Sequence, residues 1–255
     1  MEEEPEGTVT VRVAVGADVK YVYAILEEME RSAKARGTGI ARRTPQSLCK
    51  KIYEGKAVIA VVRKIGGDLP AGDVLTDGVV DAVANGMGGD RPVDNVEDMV
   101  DAGANVLVTE EWAGFSYIEA WSDGAFVSNS GLIVNPVYRK AGVGSAIKSA
   151  IFALSRQRYP HAQIFSITTG AAVMKLNHKL GFQPVTYSEI TRDGTFWDQC
   201  RHCVNYPILE SNQRKMCLCT AMLFSPGEDL FSAKSVFREK SVLREEKTGA
   251  WSVVR

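Results

Sequence analysis

The stretch Gly131-Leu-Ile-Val-Asn-Pro-Val-Tyr-Arg-Lys-Ala-Gly-Val-Gly-Ser-Ala146 constrains the fold of this 255-residue chain more than any other. An apolar run ends, glycines follow at 142 and 144, and a helix with apolar residues at 143, 146, 147, 150, 151 and 154 begins at once. A strand, a tight loop and a helix are therefore joined without spacer. In that arrangement the loop amides and the first helical amides converge on one spot, and their partial positive charge favours an anion. Glycine lets the ligand approach the backbone closely, and Arg139 and Lys140 add full charges. A diphosphate is the natural guest. No Gly-Lys-Ser/Thr closes the loop and the third glycine of the dinucleotide fingerprint is missing, so neither of those phosphate motifs applies. A tight strand–helix turn with no ligand would use the same glycines.

The rest of the chain supplies a mixed pattern. Thr8 to Val15 alternates, with valines at 9, 11, 13 and 15 on one face, and predicts a strand. Asp18 is placed to cap a helix whose apolar stripe runs through Val22, Leu26, Met29 and Ala33 to a stop near Gly37. Thr44-Pro45 opens a second helix reaching about Glu54, and Ala57 to Arg63 reads as a buried strand. Between Lys64 and Leu107 stand eight glycines and nine acidic residues against two basic ones, which reads as an insertion between strands, with short helices at 79–84 and 93–102. Trp112 to Trp121, a turn at Gly124, and Ala125 to Val134 form a hairpin signal. After the glycine loop and its helix come a strand at 163–169, a helix at 171–180 stopped by Gly181, and a strand at 184–190. The charged tail from Phe231 onward reads as partly helical. The organisation is a first unit over 1–190 carrying the insertion at 64–107, and a cysteine-bearing extension over 191–255.

The run Val134-x-Pro136-x-Tyr138-Arg139-x-x-Gly142-x-Gly144 after an apolar strand resembles the acyl-CoA-binding motif of the GNAT superfamily of N-acyltransferases. A second landmark, Val173-x-x-Leu176-x-x-x-Leu180-Gly181-Phe182, resembles that superfamily's helix ending in leucine–glycine–phenylalanine. The resemblance covers roughly residues 8 to 63 and 108 to 190. It implies an α/β (α+β) fold, a mixed, mostly antiparallel twisted sheet flanked by helices, here with the cysteine-bearing C-terminal extension. It also implies acetyl-CoA or another acyl-CoA as co-substrate. The backbone of Leu132, Ile133 and Val134 would pair with the pantetheine arm, and the backbone of Arg139, Lys140, Ala141, Gly142, Val143, Gly144 and Ser145 would cradle the pyrophosphate. An amide near Val134 would stabilise the oxyanion. The position where many members carry a tyrosine acid holds Asn177, and the asparagine that often opens that helix is Gly170. Asn177 cannot protonate a leaving thiolate, although it could hydrogen-bond to the cofactor. A thiol pKa near 8.5 makes unassisted departure feasible.

Glu119, in Tyr117-Ile-Glu-Ala-Trp121, is the candidate catalytic base, since the amine must lose a proton before attack. A solvent-facing strand-end carboxylate is the alternative. The loop Arg36-Gly-Thr-Gly-Ile-Ala-Arg42-Arg43 lies where the superfamily forms part of its acceptor site. Arg36, Arg42 and Arg43 suit an acceptor bearing carboxylates, because guanidinium pairs with carboxylate bidentately. Further stretches, among them Asn129-Ser-Gly-Leu-Ile-Val134 and Cys200-x-x-Cys203-Val-Asn-Tyr, resemble a bacterial subgroup associated with arginine biosynthesis, a candidate glutamate N-acyltransferase; the insertion departs from it. Acetylation of a protein or polyamine, and a non-catalytic acyl-CoA-binding regulator, are the competing readings.

Cys200, Cys203, Cys217 and Cys219 lie within twenty residues. Four thiolates could hold structural zinc, and the same residues could be reduced, buried thiols. Composition excludes little else. A net charge of −1 argues against a nucleic-acid partner. No apolar run approaches the roughly 20 residues of a membrane span. The acidic start Met1-Glu-Glu-Glu-Pro-Glu-Gly7 does not resemble a leader, so a cytoplasmic protein is expected, its partner a small-molecule amine, with a homodimer left open.

Overall fold

The computed structural model describes residues 8–37, 43–66, 107–227, 243–245 and 251–253. The insertion expected at 64–107, with its two short helices, therefore lies almost wholly outside the described residues, as do Arg42 and most of the tail. The elements in chain order are β1 (Thr8–Val13), α1 (Val22–Ala35), α2 (Pro45–Tyr53), β2 (Ala57–Gly66), β3 (Leu107–Trp121), β4 (Phe126–Val134), α3 (Val143–Arg158), β5 (Gln163–Thr168), α4 (Ala171–Lys179), β6 (Gln183–Val185), α5 (Gly194–Asp198), α6 (Tyr206–Ser211), β7 (Thr220–Phe224), β8 (Leu243–Glu245) and β9 (Trp251–Val253). Among the described residues they build one nine-stranded sheet in the order β6-β7-β5-β4-β3-β2-β1-β9-β8. Every pairing is antiparallel except β4 with β5. The mixed, mostly antiparallel sheet with flanking helices agrees with the expected fold class.

Period-two alternation divides the core. Along β2, Ala57, Ile59 and Val61 meet α1 and α2 through Val22, Ile25, Met29, Leu48 and Ile52. Val58, Ala60 and Val62 point the other way, to Val143, Ala146, Ile147, Ile151 and Leu154 of α3. Residues 191–227 are part of the same body. They thread β7 between β5 and β6, and lay Phe196, Trp197 and Leu209 over Phe165, Ala221 and Leu223. Trp121 joins that cluster. By strand alternation it shares the face of Tyr117, so the extension covers the sheet beside α1 and α2.

Three local expectations are corrected. Gly16–Tyr21 forms a 3-10 turn before α1 begins. Asp18 caps this turn by accepting from the Val15 amide at 2.7 Å, and it also holds Arg12 at 2.6 Å. The strand expected at 184–190 shrinks to Gln183–Val185, because Thr186 and Glu189 form a capping box around a 3-10 turn. Where the tail is described it is strand: β9 pairs with β1 and β8 with β9.

Candidate active site

The hairpin β3–β4 turns through Ser122, Asp123 and Gly124, all at positive φ. A bulge then interrupts it: Tyr117 pairs with Ser130 but Phe115 with Ile133. Gly131 occupies the bulge at φ +67°, and an added Cβ would stand 2.6 Å from the Tyr117 ring, so a side chain is excluded there. Beyond the bulge the Asn135 amide donates to Ala113 on β3 at 2.9 Å. Successive residues of a strand present their backbone groups to opposite edges. The N–H and C=O of Val134, and of Leu132 before it, therefore face away from β3, towards β5. There they find no strand. The parallel pairing of β4 and β5 ends at Ser128 opposite Phe165. The two strands part, and the last residues of β4 present an open hydrogen-bonding edge.

That edge leads directly into the glycine loop. Asn135 caps the turn Pro136–Tyr138 by accepting from the Val137 amide, and buried Tyr138 anchors it by donating to Glu111 at 2.6 Å. Lys64 and Tyr138 together hold the Glu111 carboxyl below its usual range. Lys140 and Gly142 then take left-handed conformations, φ +68° and +83°. Gly142 is the N-cap of α3 and supplies no capping side chain. Its carbonyl takes the amides of Ser145 and Ala146. The amides from Lys140 to Gly144 have no hydrogen-bond acceptor among the described residues. This is a concave run of donors at the N-terminus of a 16-residue helix. An added Cβ at Gly142 meets nothing within 4 Å, and one at Gly144 would touch Val134 at 3.4 Å.

The side chains of this loop behave differently from its backbone. Arg139 turns away from the donors. It donates to the buried carboxylate of Glu28 on α1 at 2.6 Å and to the Val134 carbonyl at 3.3 Å. Arg31 shares Glu28. Arg139 thus ties α1 to the loop, while exposed Lys140 is left as the loop's outward cation.

Cross-strand partners share a face, so Glu119 with Ser128, and Tyr117 with Ser130, line the α1/α2 side of the sheet next to the open edge. Glu119 is partly exposed and accepts from Lys51 of α2 at 2.5 Å. Arg43 donates to the Tyr117 hydroxyl at 2.7 Å. Trp121 donates to Ser128 at 3.0 Å, and Ser130 donates to Ser128 at 3.2 Å. Arg36 ends α1 in an exposed C-cap position. The structure thus brings Arg43 and Glu119 onto one face and leaves Arg36 on the surface. Lys51, Tyr117, Ser128 and Ser130 escaped the sequence reading. Only the strand alternation around Glu119 signals the last three, and nothing signals Lys51, whose helix position looks like an ordinary surface lysine.

One expectation fails and another finds no support. Asn177 is fully buried in α4. Its amide faces Met222 of β7 at 3.6 Å, with Oδ1 unpartnered. It points into the core and is not available to the cofactor. The four clustered cysteines do come within electrostatic reach of Tyr187. Yet among the described residues no three His, Cys, Asp or Glu side chains converge as metal ligands. Cys203 Sγ instead accepts the Asn205 amide at 3.4 Å, and Cys217 donates to the Asn205 carbonyl at 3.8 Å. Two of the four thiols, Cys203 and Cys217, thus bond to the turn at Asn205, and nothing in the described residues supports the zinc expectation over buried, reduced thiols. Burial raises Cys200 to about 11 and Cys219 to about 12.

No protein-family model and no curated protein matches the chain. Among solved structures it is similar to N-acetylglutamate synthase from Neisseria gonorrhoeae complexed with coenzyme A and N-acetyl-glutamate (TM-score 0.47, 14% identity), covering 87% of this chain and 36% of that one. It is also similar to Rv2747 from Mycobacterium tuberculosis in complex with CoA (TM-score 0.45, 14% identity, 84% and 98% covered). A third is the phosphinothricin acetyltransferase of Sinorhizobium meliloti in complex with AcCoA (TM-score 0.44, 17% identity, 87% and 90% covered). The chain thus spans about a third of the gonococcal synthase. All three TM-scores lie below 0.5, so the site's own geometry is what bears on function.

Proposed function

We propose that this chain is an acyl-CoA-dependent N-acyltransferase of the GNAT type. It would move an acetyl or succinyl group to the primary amine of a small carboxylate-bearing acceptor, glutamate being the first candidate. One observation carries the reading: the edge of β4 at Leu132 and Val134, beside which no strand lies, runs straight into a loop of acceptor-free amides at the start of α3. A pantetheine arm has the amides to extend the sheet along such an edge, and a pyrophosphate suits the loop.

In this account the amine nitrogen attacks the thioester carbon from the α1/α2 face. An N–H of the open edge near Val134, where the pantetheine ends, stabilises the oxyanion. The C–N bond forms, the C–S bond breaks and the thiolate leaves as CoA. Glu119 takes the proton that the ammonium must lose before attack, directly or through one water, the nitrogen's second proton passes to the departing thiolate or to solvent, and Lys51 holds the Glu119 carboxylate in place. Arg43, on the same face beside Tyr117, suits the acceptor's carboxylate. Tests are a calorimetric titration with CoA and an amine screen with acetyl-CoA and succinyl-CoA, read by free thiol. The reading expects CoA binding, and thiol release that depends on the amine. Binding without release in any amine would favour a regulator, and absence of binding would end the proposal.

A further inference from the structure

Lys148 is a core residue of α3, 2% exposed, over the ring of Phe182. No carboxylate of the described residues pairs with it. Its ammonium donates to Asn129 Oδ1 at 3.1 Å and lies 5.0 Å from the centre of the Phe182 ring. Asn129 in turn donates to Ser155 at 2.7 Å, and Ser155 donates to the Ile151 carbonyl at 2.8 Å. That chain fixes the amide oxygen towards the lysine. An ammonium has three donors, and one is used here. Burying a cation without a counter-charge is costly, and an apolar side chain would serve α3 packing there as Phe152 does one turn on. Burial alone lowers Lys148 to about 7.

The position of this cluster gives it a use. Asn129 is the first β4 residue past the last β4–β5 rung, Ser128 opposite Phe165. Its side chain lies on the α3 face. On β5, Ile164 packs on that face with Phe152 of α3, so by alternation Ser166, itself 5% exposed, lies there too. Asn129 and Ser166 therefore flank the first gap between the parting strands, with Lys148 behind them. A pantetheine whose pyrophosphate sits at Lys140–Gly144 runs back along Val134 and Leu132, so its acyl end is directed towards this gap.

We infer that Lys148, Asn129 and Ser166 form the polar end of an acyl pocket, and that the pocket selects an acyl group terminating in a carboxylate, of the succinyl class, over an uncharged one. The inference rests on the acyl-CoA reading above. The incoming carboxylate supplies the counter-charge the lysine lacks and accepts its two remaining protons' hydrogen bonds.

Succinyl-CoA and butyryl-CoA have acyl chains of equal length and differ in the terminal carboxylate, so their affinities for the full chain, with CoA as reference, form the test. The wild type should bind succinyl-CoA at least tenfold more tightly than butyryl-CoA. Lys148→Met, which keeps the bulk and removes the charge, should bring the two within about threefold, and Lys148→Gln serves if the methionine variant does not fold. Equal affinities in the wild type, or an unchanged ratio in a folded variant, overturn the pocket while leaving CoA binding intact. Failure of CoA and both esters to bind overturns the acyl-CoA reading and the pocket with it.

Discussion

A carboxylate placed at residue 142 should act almost entirely on the anion and hardly at all on the fold. Gly142 stands at φ +83° with nothing within 4 Å of an added Cβ, so a side chain is refused only by backbone conformation. Left-handed geometry costs an ordinary residue about 1–2 kcal/mol, and asparagine and aspartate tolerate it best. Gly142→Asn and Gly142→Asp therefore share shape and conformational cost and differ by one charge. That charge would sit about 5 Å from a bound phosphate. Coulomb's law gives about 0.8 kcal/mol of repulsion at that distance in bulk water and about 3 kcal/mol at an effective dielectric of 20. The loop is exposed on one side, and a value of about 1.5–3 kcal/mol corresponds to a roughly 10- to 100-fold weaker affinity for the aspartate variant than for the asparagine one. Calorimetry of CoA binding to both variants measures the ratio, and raising the salt should shrink it. Equal affinities, with both proteins folded, would refute the placement of the pyrophosphate.

Other outcomes follow from the same geometry. Gly144→Asp, with its Cβ against Val134 at 3.4 Å, should abolish CoA binding in the same assay. Glu119→Gln should lower turnover at neutral pH by about two to four powers of ten while CoA affinity holds, and full activity across the pH profile would show that Glu119 is not the base. Gly131→Ala meets both a positive φ and the Tyr117 ring, so it should destabilise the fold by more than about 1 kcal/mol, read as a lower denaturant midpoint. Lys148 titrates near 7 in the fold and at 10.5 unfolded, so between those values the unfolded chain binds the extra proton. Stability from this group is lowest below pH 7 and rises towards 10.5; the difference between wild type and Lys148→Met should shrink over that range, and a flat difference would place the ammonium in water.

The fold was legible where the apolar period was unbroken. The valines of β1, the hairpin around Gly124 and the stripe of α3 each declare their element, and the glycines at 142 and 144 declare the loop. What stayed hidden depends on contacts between segments distant in the chain. The sequence around Thr220 to Phe224 does not say that β7 will slot between β5 and β6. Lys148 and Ser155 stand seven apart on α3, beside the apolar stripe, and look like solvent-facing residues until the sheet closes over them. Asn177 stands at the position of the resembled superfamily's tyrosine, which suggests a place near the cofactor, yet its rotation on the helix places it against Met222. The cysteines lie close together, and the turn at Asn205 orients the sulfurs of Cys203 and Cys217 to backbone partners.

The central claim is that an acyl-CoA lies along the open edge of β4 with its diphosphate on the glycine loop. Backbone amide chemical shifts recorded during a CoA titration test it at the atoms concerned. The largest changes should fall on Leu132, Val134 and the amides from Lys140 to Gly144, with Ile133, whose amide faces β3, moving less. Saturable shifts centred elsewhere, with those amides unmoved, would contradict it.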